Sequence, residues 1–226
     1  MHLPCTSLVL ISRLISSTAS SPLVPSMIQT LWFIVDADRE ADLIPPDGFQ
    51  TLCQDLQIDL ETPDPIVMSY KLFNASDLCY ITHLEWSKAL TTNQYMPLLH
   101  TANFVRIDSL DTLKNRLAEF TTLDPDHLGD FYKSLFNIAK PNNLKSLDLE
   151  TAIPILSLLP QIRPVPHLES FIAFLTVKQP VKALNRDQWN CFWEFSKSMD
   201  PSFVGYNIET SAWPTLFDEF VDWLKQ

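Results

Sequence analysis

Ala212-Trp213-Pro214-Thr215-Leu216-Phe217-Asp218-Glu219-Phe220-Val221-Asp222-Trp223-Leu224 is the stretch whose reading decides the fold. Trp213, Leu216, Phe217, Phe220, Val221, Trp223 and Leu224 recur at helical spacing and form one broad apolar stripe, with Asp218 and Asp222 on another face. The same periodicity runs back to Asp36. It predicts helices at about Arg186–Met199, Pro166–Val177, Leu149–Leu159, Pro125–Lys140, Leu110–Phe120, His83–Leu90, Pro65–Asn74 and Asp47–Ile58. Asp64-Pro65, Asp124-Pro125 and Asp200-Pro201 each read as a carboxylate N-cap followed by proline at the first helical position, where its missing N–H costs nothing. Thr82-His83-Leu84-Glu85 reads as a capping box. Nothing repeats at solenoid period, and the expected class is all-α.

Composition narrows the function. Three glycines among 226 residues, Gly48, Gly129 and Gly205, stand alone, so there is no G-x-G-x-x-G or Walker A loop to cradle a phosphate. A net charge of −11 argues against nucleic acid and favours a basic protein partner or, less often, a metal cation. Cys5, Cys53, Cys79 and Cys191 form no C-x-x-C pair and are expected as free thiols in a reducing compartment. His2, His83, His100, His127 and His167 lack zinc-ligand spacing. No apolar run reaches the roughly 20 residues of a membrane span, and no nucleophile motif is present. No metal, cofactor or membrane partner is expected.

All 27 acidic residues lie at Asp36 or beyond. Met1–Val35 is serine-rich, fits neither a secretory signal nor an arginine-rich transit peptide well, and is set apart as residues 1–35, expected as an unstructured segment, a targeting segment being the alternative. Residues 36–122 and 123–226 are expected as two packed helical halves. The first half holds two loops laid out like EF-hands and starting 38 residues apart. Asp36, Asp38, Glu40, Asp42 and Asp47 take positions one, three, five, seven and twelve of the first, with Leu43 eighth. Asn74, Ser76, Leu78, Tyr80 and Glu85 take them in the second, with Ile81 eighth. Calcium needs six to eight oxygens and a glycine at position six, where these loops carry Ala41 and Cys79. The expectation is a paired scaffold without metal, a calcium-responsive adaptor being the alternative.

From Asp187 onward Asp187, Glu194, Asp200, Glu209, Asp218, Glu219 and Asp222 face only Lys197 and Lys225. On composition this is a solvated face or a docking patch for a Lys/Arg-rich partner.

An ordered set of short motifs adds to this reading. They are Phe131-Tyr132, Asn137-Ile138-Ala139-Lys140, Lys145 to Ile153, Phe174-Leu175, Arg186-Asp187-Gln188-Trp189-Asn190, Glu194-Phe195-Ser196, Tyr206-Asn207 and Ala212 to Val221. Together they resemble the potentiating-neddylation domain of the defective-in-cullin-neddylation family, over about Ile44 to Trp223 and within a domain of residues 36–224. Asp47-Gly48, Leu52-Cys53, Asp55-Leu56 and Tyr70-Lys71 resemble its EF-hand-like half.

The resemblance implies a monomeric, cytoplasmic and nuclear scaffold with no catalytic residue of its own. It would hold the neddylation conjugating enzyme against the C-terminal winged-helix region of a cullin. An acidic cullin-binding patch is implied at Asp187, Ala212 and Asp218. A pocket for the acetylated N-terminal Met of the conjugating enzyme is implied at Phe49, Met68, Phe73, Cys79, Ile81, Ile138 and Leu158, with Leu72 an alternative to Phe73. Met1–Val35 resembles nothing in the family, and Pro65 and Pro154 depart from its pattern near the pocket.

Overall fold

The computed structural model describes residues 32, 38, 40–91, 109, 111–115, 127–141, 144–209 and 212–226. Its elements run β1 (Leu43–Ile44), α1 (Pro46–Asp55), α2 (Asp64–Val67), a π-helical turn (Met68–Leu72), β2 (Ile81–Thr82) and α3 (His83–Thr91). The second half continues with α4 (Leu128–Ala139), β3 (Ser146–Asp148), α5 (Leu149–Ile162), α6 (Leu168–Lys178), β4 (Ala183–Asn185), α7 (Arg186–Ser198) and α8 (Thr215–Leu224). The all-α class holds, with two short antiparallel strand pairs as its only sheets among the described residues.

Those strand pairs organise both halves in the same way. Ile44 pairs with Ile81 and Leu147 with Leu184, each pair separated by 37 residues, and all four side chains are buried. Each strand runs directly into a helix. Three of the four junctions are satisfied by side-chain caps and the fourth by prolines. Thr82 and Glu85 form the expected box, with Glu85 N–H donating to Thr82 Oγ1 at 3.3 Å and Thr82 N–H to Glu85 Oε2 at 2.8 Å. Asn185 and Gln188 form a second box, at 2.8 and 3.0 Å. Asp148 accepts from Thr151 N–H at 2.8 Å. At the remaining junction Pro45 and Pro46 open α1, where no N–H is missed. Such caps contribute about 1 kcal/mol each. The second half therefore repeats the paired helix–loop–helix plan that the spacing predicts only for the first.

Two of the predicted Asp-Pro helix starts are corrected. Pro63 already has helical dihedrals and occupies the N-cap position, so Asp64 lies inside the first turn, where its charge meets the helix dipole. Asp200-Pro201 opens a turn and no helix. Asp200 accepts from Ser202 N–H and Oγ–H at 2.7 and 2.6 Å, and Phe203 N–H donates back to Asp200 O at 3.1 Å. Proline at the second position of such a turn is as well placed as at a helix start, which is why the dipeptide misleads. Asp124-Pro125 lies outside the described residues.

Helix α5 runs through Pro154 and Pro160 to Ile162, past the expected end. Burial of Leu149, Ala152, Ile155, Leu156 and Leu159 along one side outweighs the hydrogen bonds the prolines omit, and Pro154 points to solvent.

Two apolar cores result. The first gathers Ile44, Phe49, Leu52, Cys53, Met68, Phe73, Ile81 and Trp86, together with Trp32. Trp32 belongs to the segment set apart above, yet it is 2% exposed and lies against His83 and Trp86 at 4.9 and 5.8 Å between ring centres. The second core is aromatic and fills the space between α4, α6, α7 and α8. Its hub is reciprocal: Tyr132 Oη donates to Trp189 O and Trp189 Nε1 to Tyr132 O, both at 2.9 Å, with the rings stacked at 4.9 Å. The chain crosses from one core to the other within a single turn. Ile66 and Val67 belong to the second, Met68 and Leu72 to the first, and the π-turn supplies the rotation. Leu78 N–H donating to Ile138 O at 2.8 Å and Tyr70 edge-on to Phe131 complete the seam.

Where α4 crosses α7, Gly129 meets the Trp193 indole. A methyl at Gly129 would sit 2.9 Å from Trp193 Nε1, and that ring is held by Tyr132 on one side and overlain by Lys197. Gly129→Ala is expected to lower unfolding free energy by about 1–3 kcal/mol through overpacking, read as a lower urea midpoint at unchanged slope.

Candidate functional site: an acidic patch on the second half

Both implied patch carboxylates lie near the start of a helix. Asp187 lies in the first turn of α7 and Asp218 in the first turn of α8, where the helix dipole favours negative charge. Asp187 is exposed, and Cys191 one turn on donates its thiol to Asp187 Oδ1 at 3.7 Å. Burial pushes the Cys191 thiol above its ordinary range, with the charge of Asp187 adding to it. Ala212 is exposed in the lead-in to α8. Asp218 is half-buried and accepts from Tyr206 Oη at 2.6 Å.

Packing ties these elements together through Phe195. Its ring lies in α7, two turns beyond Asp187, and meets Tyr206, Trp213 and Phe217 at 5.9, 5.5 and 4.9 Å. Trp213 follows Ala212, and Phe217 precedes Asp218. One buried phenyl ring therefore braces the neighbours of both α8-side patch positions. Two basic side chains of this half are already engaged. Lys133 pairs with Glu194 at 3.1 Å, and Arg186 donates to Asn137 Oδ1 at 2.9 Å while lying over Phe136.

The residues implied for the second site are distributed differently. Phe49, Met68, Phe73 and Ile81 are interior to the first core, each at most 2% exposed. Cys79 is half-buried against that core, and Leu158 is half-buried against the second. Ile138 is buried at the seam and holds the Leu78 amide through its carbonyl. Leu72, the alternative to Phe73, is also buried. These positions span the junction of the halves. In this conformation four of the seven offer no surface to a ligand. Burial pushes the Cys53 thiol up to about 12, and Cys79 is raised by burial and by Asp77 nearby, so both are poor nucleophiles.

The calcium frame does not survive the strand register. Ile44, and not Leu43, stands opposite Ile81, which displaces the first loop by one position and moves its carboxylates off the ligand places. Asp38 accepts from the Glu40 and Ala41 amides instead, at 2.9 and 3.1 Å. In the second loop Glu85 accepts from Ser76 N–H at Oε1 and from Thr82 N–H at Oε2, both at 2.8 Å. Asp36 lies outside the described residues.

Sequence reasoning missed two features here. The Asn185-x-x-Gln188 box was readable by the same rule that found Thr82-x-x-Glu85. Tyr206 was visible as a motif residue, but its contact with Asp218 is tertiary and leaves no local signal.

Comparison with known proteins places the chain in a family. Residues 107–223 match the model of the family described as cullin binding. The chain belongs to that family. Asp187, Ala212 and Asp218 all fall inside the matched stretch, while Phe49, Met68, Phe73, Cys79 and Ile81 precede it. Relatives extend the likeness across the first half of this cullin-binding family member. DCN1-like protein 2 of Dictyostelium discoideum is 32% identical over 203 residues, covering 88% of this chain and 69% of its own. DCN1-like protein 4 of Drosophila melanogaster is 30% identical over 186 residues, covering 82% and 69%. DCN1-like protein 4 of Homo sapiens is 32% identical over 196 residues, covering 86% of this chain and 61% of its own.

Proposed function

We propose that this protein is a scaffold-type co-ligase of cullin neddylation. The observation that carries the reading is a pair of carboxylates, Asp187 and Asp218, each in the first turn of a helix within the stretch that matches the cullin-binding family. The patch takes basic side chains of a cullin C-terminal region, and Ala212 leaves room for them to approach. The chain acts as a monomer by position alone. Holding the thioester of the loaded conjugating enzyme near an acceptor lysine raises their effective concentration and restricts their orientation, with no side chain of this protein entering the chemistry. A pull-down with a cullin C-terminal region should capture the full chain at moderate salt, and no capture at low salt would overturn the reading.

The second partner in this proposal is the acetylated N-terminus of the conjugating enzyme, received at the seam between the halves. Acetylation removes a charge that would be costly to bury, since a free α-amine with a pKa of about 7.7–8.0 is mostly protonated at pH 7. An acetylated N-terminal peptide of the conjugating enzyme should therefore bind at least about tenfold more tightly than its free-amine twin by calorimetry. Leu158→Ala, a half-buried position, should weaken the acetylated form selectively, whereas Ile81→Ala would also open a cavity in the first core. Equal affinity for the two peptides would remove this partner from the proposal.

A further inference from the structure

Asp218 is aimed by a segment outside its own helix. An aspartate in the first turn of an exposed helix ordinarily samples several rotamers, and a carboxylate that must be fixed on binding loses affinity to that ordering. Here Tyr206 Oη donates to Asp218 Oδ1 at 2.6 Å, the short distance of a charge-assisted hydrogen bond.

Tyr206 is itself held by a built strap between α7 and α8. Asp200 turns the chain through Ser202, and Phe203 N–H and Tyr206 N–H close successive turns on Asp200 O and Phe203 O, both at 3.1 Å. The reversal requires left-handed backbone at Phe203 (φ 53°) and at Gly205 (φ 88°). A bulky residue keeps such a conformation only where its surroundings enforce it. Phe203 is enforced: it is buried, with His167 at 4.5 Å and Phe195 and Phe220 at 6.0 Å between ring centres. The Tyr206 ring stands edge-on to Phe195, and its hydroxyl reaches the carboxylate from that fixed base.

We infer that Tyr206 is a positioning residue of the basic-partner patch, fixing the Asp218 carboxylate in its docking orientation before the partner arrives. The inference rests on the proposed cullin-binding reading. The partner group it serves is an ammonium or guanidinium, which gains most from a carboxylate already ordered.

The test is a set of affinities for a cullin C-terminal region, measured at low salt so that weakened variants still bind. Tyr206→Phe keeps the ring on Phe195 and removes only the hydroxyl. It should weaken binding about three- to tenfold in the otherwise unchanged chain. In the Asp187→Ala background the same loss should persist, and in the Asp218→Ala background it should vanish. An equal loss in all three backgrounds would reduce Tyr206 to a structural residue, and no loss in any would remove the role. In the unbound chain, NMR couplings should show the Asp218 χ1 angle passing from one rotamer to an average on Tyr206→Phe. A single retained rotamer would overturn the inference even if affinity fell. If Asp218→Ala alone leaves affinity unchanged, the patch assignment fails first and the inference falls with it.

Discussion

Binding of a cullin C-terminal region to a chain carrying Asp187→Ala, Ala212→Arg and Asp218→Ala is expected to fall at least about 100-fold, equivalent to about 2.8 kcal/mol. Two carboxylates at helix starts are lost, and a like charge is placed where a basic side chain would approach. The fold should survive, because Asp187 and Ala212 are exposed and Asp218 gives up a hydrogen bond to Tyr206 at a cost of about 1 kcal/mol. Thermal melting and titration calorimetry on the same preparation separate the two effects. Wild-type affinity in the triple variant, at matched salt, would locate the docking surface elsewhere on the molecule.

Phe195→Ala should produce the largest stability loss, about 3–5 kcal/mol in denaturant unfolding. The ring is fully buried and stands against Phe203, Tyr206, Trp213, Phe217 and Phe220, so its removal leaves a cavity that five aromatic neighbours cannot all close at once. Because Tyr206 and Trp213 lean on it, the surviving folded fraction should also bind the cullin region more weakly, although Phe195 touches no solvent. A variant that lost stability without any loss of affinity per folded molecule would show that the patch does not depend on this brace.

Much of the helical plan could be read in advance, because apolar stripes such as that of α8 and boxes such as Thr82-x-x-Glu85 are local patterns. What escaped was either too short or too distant to leave a pattern. Strands β3 and β4 are three residues each, below the length at which alternation can be recognised, so the repeated organisation of the second half went unread. Asp200-Pro201 was misread because its first residues suit a turn and a helix equally; only burial of Phe203 decides between them. The patch positions came from family likeness and charge, and Asp187, Ala212 and Asp218 do reach partly or fully exposed positions. The reason one of them is held still lies twelve residues away in Tyr206.

Glu85 carries a consequence for how such a protein could be controlled. In a calcium sensor the last loop carboxylate is the moving part, swinging onto the ion and dragging its helix with it. Here that carboxylate is already spent on the Ser76 and Thr82 amides, so the loop carries its own internal substitute for the ion. Its geometry is then constitutive: calcium offers this loop nothing that it does not already hold. Any control of this half would have to act on something other than the second loop, whose closing carboxylate is permanently occupied.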